Sequence, residues 1–241
     1  MKLVTEFHEE SKTSISLEYS KKLFSQKTKY QKIEIYSSKV YGNIMMLDGC
    51  FMLTEKNNDY YHDKCISFLD KEKSKQDILI IGGGDHAIAQ SIISSMDINN
   101  LTIVELDKAV VDVSKKYFPK FFKNENKMKK NINIIFEDGY IWTKNNTNIL
   151  YDTIIVDSTD PNEISKKLFS KDFYNSIYSI LKENGMFIQQ SGCPLINKNR
   201  SIKPILDNLK NCGFINIMLE SFPMPIYPLG TWSFVKCERR K

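Results

Sequence analysis

The chain has 241 residues, enough to bury a large core as one domain or as one domain with a smaller partner. Hydrophobic residues make up 41% and charged residues 26%, with no run of roughly 18 uncharged apolar residues, so a globular protein without a membrane-spanning helix is expected. The net charge of +5 names no partner: the most basic stretch, 120–130, lies between expected elements beside several asparagines and reads as a solvated loop rather than a nucleic-acid surface.

Residues 1–10 carry Glu6, His8, Glu9 and Glu10 where a signal peptide needs an apolar core, so a cytoplasmic location is expected. From there to about Thr54 the pattern is short and alternating, with strands expected at 33–36, 40–47 and 50–53. Asp48-Gly49 between the last two is a hairpin signal, so this part reads as a small antiparallel sheet. A helix over 60–69 leads out of it.

Next comes Asp77-Ile78-Leu79-Ile80-Ile81-Gly82-Gly83-Gly84-Asp85-His86-Ala87, an apolar run feeding straight into three glycines. Gly82, Gly84 and Ala87 fit the spacing of a nucleotide-binding turn, in which small residues let the backbone approach a ligand and let helix meet strand. Glu105 follows Gly84 by 21 residues and closes the next apolar run, the place where an acid accepts hydrogen bonds from ribose hydroxyls. Strands at 78–81, 101–104, 132–136, 153–156 and 186–189 then alternate with helices near 87–95, 108–117, 172–181 and 201–211. This is the order of a parallel sheet covered on both faces. Gly185 and Gly213 sit where helix ends need a left-handed residue. Strands at 215–219 and 232–237, joined by a loop over 220–231, end the chain.

The five cysteines are odd in number and contain no C-x-x-C pair, so they are expected to be reduced, with neither a disulfide frame nor a metal site.

Ligands of an open parallel sheet bind beyond the carboxyl ends of its strands. Four successive strand ends here carry acids: Asp85, Glu105, Asp138 with Gly139, and Asp157 with Asp160. Such a rim repels itself unless something cationic binds within it. Glu105 and Asp138 suit the ribose hydroxyls and adenine amino group of a nucleoside, which leaves Asp85, Asp157 and Asp160 for cations.

With these motifs in view the sequence resembles the spermidine synthase family of aminopropyltransferases from about Phe7 onward. The likeness is carried by Tyr30-Gln31, Tyr41-Gly42-Asn43, Leu47-Asp48-Gly49, Thr54-Glu55, Tyr61-His62, Gly82-Gly83-Gly84-Asp85, Glu105-Leu106-Asp107, Asp138-Gly139, Asp157-Ser158-Thr159-Asp160-Pro161 and Tyr227-Pro228. The resemblance implies an α/β fold in which a small antiparallel β-domain, residues 1–54, precedes a Rossmann-like domain of the class I methyltransferase type, residues 55–241. It implies aminopropyl transfer from decarboxylated S-adenosylmethionine, a co-substrate rather than a tightly bound cofactor, to a diamine such as putrescine, giving spermidine and methylthioadenosine. By the same resemblance Gln31, Glu105, Asp138 and Gly139 hold the nucleoside, Tyr61, His62, Asp85, Asp160 and Tyr227 face the amines, and Asp157 is the general base. A homodimer or homotetramer is also implied.

Departures gather on the amine side. Phe7 stands where a tryptophan is common, Asn57-Asn58 where an acidic pair is, His86 where a glycine is, and Glu163-Ile164 where Gly-Pro ends the loop after Asp160; Glu163 offers a further amine contact. The rival readings are a methyltransferase using intact S-adenosylmethionine and a non-catalytic relative that binds a nucleoside or polyamine. A nicotinamide dehydrogenase leaves the extra acids without a role.

Overall fold

The computed structural model describes residues 1–56, 59–73, 75–123 and 132–241. Its first two strands, β1 (Leu3–His8) and β2 (Thr13–Glu18), form an antiparallel hairpin. A four-stranded antiparallel sheet follows, in sequential order β3 (Lys21–Lys27), β4 (Lys32–Ser38), β5 (Gly42–Leu47) and β6 (Cys50–Thr54). Asp48 and Gly49 both take positive φ, 49° and 86°, the turn whose twist matches the strands it joins. The strand expected over 40–47 begins at Gly42 rather than Val40 because Gly42 is itself left-handed, at φ 69°.

Helix α1 (Asp59–Ile66) then leads to a seven-stranded sheet. Its strands are β7 (Gln76–Gly82), β8 (Ile98–Glu105), β9 (Ile132–Phe136), β10 (Tyr151–Asp157), β11 (Leu181–Gly192), β12 (Ile215–Pro223) and β13 (Thr231–Glu238), in the order β12-β13-β11-β10-β7-β8-β9. The five strands from β11 to β9 are parallel, and the last hairpin joins them antiparallel. Between strands run α2 (Ala87–Ser95), α3 (Lys108–Tyr117), α4 (Gly139–Asn145), α5 (Lys171–Ile180) and α6 (Lys203–Asn211).

Both faces of the sheet are covered, as the near-continuous apolar strands require. Ile78 and Ile80 of β7 point to α1 and α2, through Cys65, Ile88 and Ile92; Leu79 and Ile81 share the other core with Trp142 of α4 and Phe173, Tyr174 and Ile177 of α5. The four-stranded sheet is fixed to this body through Ile33, Ile35, Met45 and Leu53, which pack on Val110, Val113 and Phe118.

Several boundaries differ from expectation for identifiable reasons. Helix α1 stops at Ile66, although Phe68 and Leu69 are buried beyond it, so apolar content outran the helix. Helix α4 was not anticipated; seven residues are too few for a periodic signal, and it is started by Asp138, whose carboxylate accepts the Tyr140 amide at 2.8 Å. At the turn after α5 the left-handed residue is Asn184 (φ 56°) rather than Gly185, which is needed for space: a Cβ there would lie 2.7 Å from the Lys182 carbonyl oxygen. Gly213 is left-handed as expected, at φ 91°. Strand β12 continues to Pro223, so the loop expected from 220 narrows to 224–230. Of the basic stretch, Lys120 belongs to a 3-10 helix, Pro119–Phe122, and donates to the Glu55 carbonyl, whereas 124–130 lie outside the described residues, as do Asn57 and Asn58.

At the amino rim of the sheet, Lys182 bridges Asp77 at 2.9 Å and Asp152 at 2.8 Å, and Lys73 reaches Asp152 at 2.6 Å. These partners hold the Asp152 carboxyl down, at about 2, against the opposing effect of burial. Lys182→Met is therefore expected to cost about 1 kcal/mol, the upper end for an exposed pair and below that for a fully buried one, because Lys182 is partly exposed and Lys73 remains. Because the Asp152 pKa is depressed, its contribution is present above about pH 4 and disappears as the pH falls toward 2. Denaturant midpoints at pH 7 and pH 2.5 test this; an equal loss at both would remove the ionic explanation.

Candidate active site

The sheet reverses its order of growth at β7, between β10 and β8, and a cleft opens at the carboxyl ends of these strands. Its volume is about 310 Å3. All of the site residues expected from the sequence line it: Gln31, Tyr61, His62, Gly82, Gly83, Gly84, Asp85, Glu105, Asp138, Gly139, Asp157, Asp160 and Tyr227.

The glycine turn has to be glycine. Gly82 and Gly83 take φ of 84° and 66°, and a Cβ on Gly82 would stand 2.1 Å from the Asp157 carbonyl oxygen. That carbonyl accepts the Gly83 amide at 2.9 Å, so the turn after β7 and the end of β10 are tied together. His86 follows in the left-handed region (φ 63°), where a side chain costs about 1–2 kcal/mol. Its ring is buried and stacks on Phe122 at 4.6 Å, a contact a glycine lacks.

Glu105 is held from both sides: Oε2 accepts the Gly84 amide at 3.1 Å and Oε1 the Asp107 amide at 2.8 Å. Burial, with the Asp107 charge adding to it, nevertheless lifts its carboxyl to about 7. Asp107 in turn accepts from Thr28 Oγ1 at 2.7 Å and Gln31 Nε2 at 3.3 Å while capping α3, which brings Gln31 from the β3–β4 turn into the cleft. Gly139 lies so close to β7 that a Cβ would meet Ile81 Cγ2 at 2.3 Å.

Asp157 ends β10 beside the glycine turn, and its Oδ1 accepts the Tyr61 hydroxyl at 2.6 Å. Removal from solvent, the like charge of Asp85 and that of Glu105 raise its carboxyl to about 7; the Tyr61 bond opposes them. Asp85 is raised too, by burial, though its Oδ1 accepts the Ala87 amide at 2.9 Å. It therefore caps α2 and faces the cleft at once. Asp160 stands at about 6 through burial, eased by Gln190 Nε2 at 3.3 Å. His62 is pushed down to about 3 by burial and the Lys120 charge, so it is neutral, and its ring meets Tyr61 and Phe121 edge-on. Tyr227 spends its hydroxyl on the Met52 carbonyl at 2.8 Å and lines the cleft as a ring.

Three participants were given no role in the site by the sequence alone. Glu6 of β1 lines the cleft; its Oε2 accepts the Phe51 amide at 2.7 Å, and burial with the Asp160 charge lifts it to about 7. Its signal was positional: Glu6 shares a strand face with Val4, while Phe7, on the opposite face, is 55% exposed and outside the cleft. Asp107 and Gln190 are the others, Gln190 because only acids were sought at strand ends. The reverse correction concerns Glu163, which pairs with Lys166 at 2.6 Å outside the cleft lining, so Ile164 takes its place there. The loop that lacks Gly-Pro is held instead by Asn162 Oδ1, which accepts the Ile164 and Ser165 amides, and by Ser165 Oγ on the Asp160 carbonyl.

These raised carboxyls carry a stability consequence. Between about pH 4 and 7 the folded chain holds more protons at Glu6, Glu105, Asp157 and Asp160 than the unfolded chain does, so their contribution fades as pH rises through that window. The ligand-free protein is expected to melt at a lower temperature at pH 8 than at pH 5.5. A rise over that interval in calorimetry would contradict it.

Comparison with known proteins matches the arrangement as a whole. A model of the Spermine/spermidine synthase domain matches residues 58–241 and one of the Spermidine synthase tetramerisation domain residues 4–55. A polyamine aminopropyltransferase of Thioalkalivibrio sulfidiphilus is 34% identical over 95% of this chain and 80% of its own. That of Methanocaldococcus jannaschii is 34% identical over 98% and 79%. Among solved structures, a spermidine synthase in complex with the transition-state analogue AdoDATO superposes with a TM-score of 0.88 at 23% identity, over 99% of this chain and 80% of that one. A spermidine synthase from Thermotoga maritima gives 0.87, with the same identity and coverage. Among the described residues no helix is long and apolar enough to cross a membrane.

Proposed function

Since the chain belongs to the spermidine synthase family of polyamine aminopropyltransferases, we propose that it transfers the aminopropyl group of decarboxylated S-adenosylmethionine to a diamine of putrescine's size, yielding spermidine and methylthioadenosine. The observation that carries this reading is the placement of Asp157 between the glycine turn and Tyr61, with Asp85 and Asp160 in the same cleft.

In this reading Glu105 accepts from the ribose hydroxyls, with Gln31, Asp138 and Gly139 around the nucleoside. Asp85 receives the ammonium of the aminopropyl group and Asp160 the far ammonium of the diamine, between the rings of Tyr61, His62 and Tyr227. An alkyl amine has a pKa of about 10, so the attacking nitrogen arrives protonated and Asp157 must relieve it of a proton. A carboxylate standing near 7 is better matched to that task than one at 4. The nitrogen lone pair then attacks the methylene next to the sulfonium, the carbon–sulfur bond breaks with its electrons going to sulfur, and the proton leaves through Asp157. Alignment of nitrogen, carbon and sulfur supplies much of the rate.

Incubation with decarboxylated S-adenosylmethionine and a panel of diamines should release methylthioadenosine and form the matching polyamine. Methyl transfer from intact S-adenosylmethionine in its place would overturn the reading. Glu105→Gln is expected to weaken methylthioadenosine binding by about 1.5 kcal/mol or more, since it removes charge-assisted bonds and turns an amide donor toward the Gly84 or Asp107 amide. Unchanged affinity by calorimetry would take Glu105 out of the site.

The same reading divides the chain near residue 54, supported by family matches that end at 55 and resume at 58. Assembly is supported by the tetramerisation-domain match, and we read it as a homodimer or homotetramer of a cytoplasmic enzyme acting on small molecules, without a nucleic-acid or membrane partner.

A further inference from the structure

His86 lies between Asp85 and Ala87, yet it is outside the cleft lining, with its ring buried behind the turn. Its backbone is tied at both ends. The His86 amide donates to the Gly83 carbonyl at 2.9 Å, and the His86 carbonyl accepts the Gln90 amide at 2.8 Å, the first bond of α2. A third bond, from the Ala87 amide to Asp85 Oδ1 at 2.9 Å, aims the Asp85 carboxylate. This arrangement goes with a left-handed φ of 63° at residue 86, which an L side chain resists. Turning φ negative rotates the adjoining peptides, so Asp85 keeps its aim only while His86 is held in an unfavourable conformation.

Phe122 is the side chain placed to hold it. The two rings stack with 4.6 Å between centroids and 26° between planes, and the Lys115 ammonium lies 5.6 Å from the Phe122 centroid. Phe122 comes from the 3-10 helix Pro119–Phe122, and that helix has a firm base. Phe118, at the end of α3, and Phe121 are buried with Ile35, Met45 and Leu53 of the four-stranded sheet and with Ala87 of α2. Lys120 fastens the same helix to the Glu55 carbonyl. Phe122 itself is only partly buried at the edge of this cluster, so its ring can be exchanged without opening the core.

We infer that Phe122 is a positioning residue for co-substrate binding: by stacking on His86 it holds the glycine turn in the form that points Asp85 at the ammonium of the aminopropyl group. The inference rests on one part of the aminopropyl-transfer reading, that Asp85 takes this ammonium. Without the ring, His86 relaxes in a share of the free molecules, and the apparent dissociation constant rises by the inverse of the fraction still competent to bind. The effect falls chiefly on a ligand that reaches Asp85. Decarboxylated S-adenosylmethionine does so, whereas methylthioadenosine ends at its methylthio group and carries no ammonium. A glycine at position 86 takes the left-handed conformation without strain and has no ring to stack, so in that setting Phe122 has nothing to hold.

Calorimetry with both ligands on the wild type, Phe122→Leu, His86→Gly and the double variant makes a double-mutant cycle, with thermal melts to verify folding. Phe122→Leu keeps apolar bulk and loses the flat ring. It is expected to weaken decarboxylated S-adenosylmethionine at least fivefold and methylthioadenosine less than twofold. Introduced together with His86→Gly, the same substitution should change neither affinity more than twofold relative to His86→Gly alone. Phe122→Tyr, which keeps the ring, should bind both ligands within twofold of the wild type; a fivefold loss there overturns the inference. So do losses of equal size with and without His86→Gly, equal losses for the two ligands, or no loss in Phe122→Leu, and each leaves the proposed function standing. Diamine-dependent release of methylthioadenosine by the wild type tests that function separately: its absence, with the cycle as expected, overturns the transfer and leaves the positioning role in place.

Discussion

Asp157→Asn is expected to lower turnover by about 10²–10⁴-fold, the range for a lost general base, and to leave nucleoside binding nearly intact. The fold around the residue should survive. The Gly83 amide bonds to the backbone carbonyl of residue 157, and the Tyr61 hydroxyl can still donate to an amide oxygen. What is lost is an acceptor able to take a full proton. In the wild type, Asp157 titrating near 7 should make kcat/KM climb as pH rises toward that value, because the carboxylate form is the active one above it. In the variant that limb should vanish, and raising the pH should restore activity partly through the growing fraction of neutral amine. Steady-state rates across pH 6–9, alongside calorimetry with methylthioadenosine, decide the matter. A variant within a few-fold of wild type at neutral pH would show that Asp157 is not the base.

A preference of at least tenfold for decarboxylated over intact S-adenosylmethionine is expected to depend on Asp85. In methyltransferases of this general fold the glycine turn offers its amides to the cofactor carboxylate. Here the Gly83 amide is taken by the Asp157 carbonyl and the Gly84 amide by Glu105, and the Ala87 amide is occupied by Asp85 itself. The turn thus has few amides left for an anion and presents an acid. A carboxylate about 4 Å from Asp85 meets a repulsion on the order of 4 kcal/mol at an effective dielectric of 20, whereas an ammonium is attracted. Competition binding should show Asp85→Asn narrowing the preference, chiefly by weakening the decarboxylated form. The substitution also tests the capping role, because Asn can still accept the Ala87 amide and keep α2 in place. Equal wild-type affinities for the two cofactors would defeat the assignment.

The order of strands and helices was legible because it rests on long apolar runs punctuated by glycine, and β7 with Gly82–Gly84 anchors the rest. The acids at the strand ends were legible by the same route: a strand end is a sequence feature, and the sheet brings such ends together. Hydrogen bonds between distant segments were not. Nothing local marks Asp107 as the partner of Thr28 and Gln31, or Tyr227 as the donor to Met52, since these contacts exist only after the four-stranded sheet has docked on α3. Glu6 stayed hidden for a related reason. A short edge hairpin with mixed residues has weak alternation, and its inward phase is settled by the neighbour it covers. Helix α4 shows the limit of periodicity, because two turns give too few repeats to separate from a loop.

The two rims of the large sheet are electrostatic opposites. At the amino rim every described acid of the Asp77–Asp152 group has a lysine, whereas at the carboxyl rim Asp85, Asp157 and Asp160 have dipoles and hydroxyls but no ion pair with a lysine or arginine among the described residues. The molecule is thus stitched at one end and left under tension at the other, with the length of the strands insulating the first from the second. Divergence in what the cleft accepts can therefore proceed by exchanging acids at the tense end, each loss of charge relaxing the chain rather than threatening it. Such a layout separates the residues that select a substrate from those that pay for the fold.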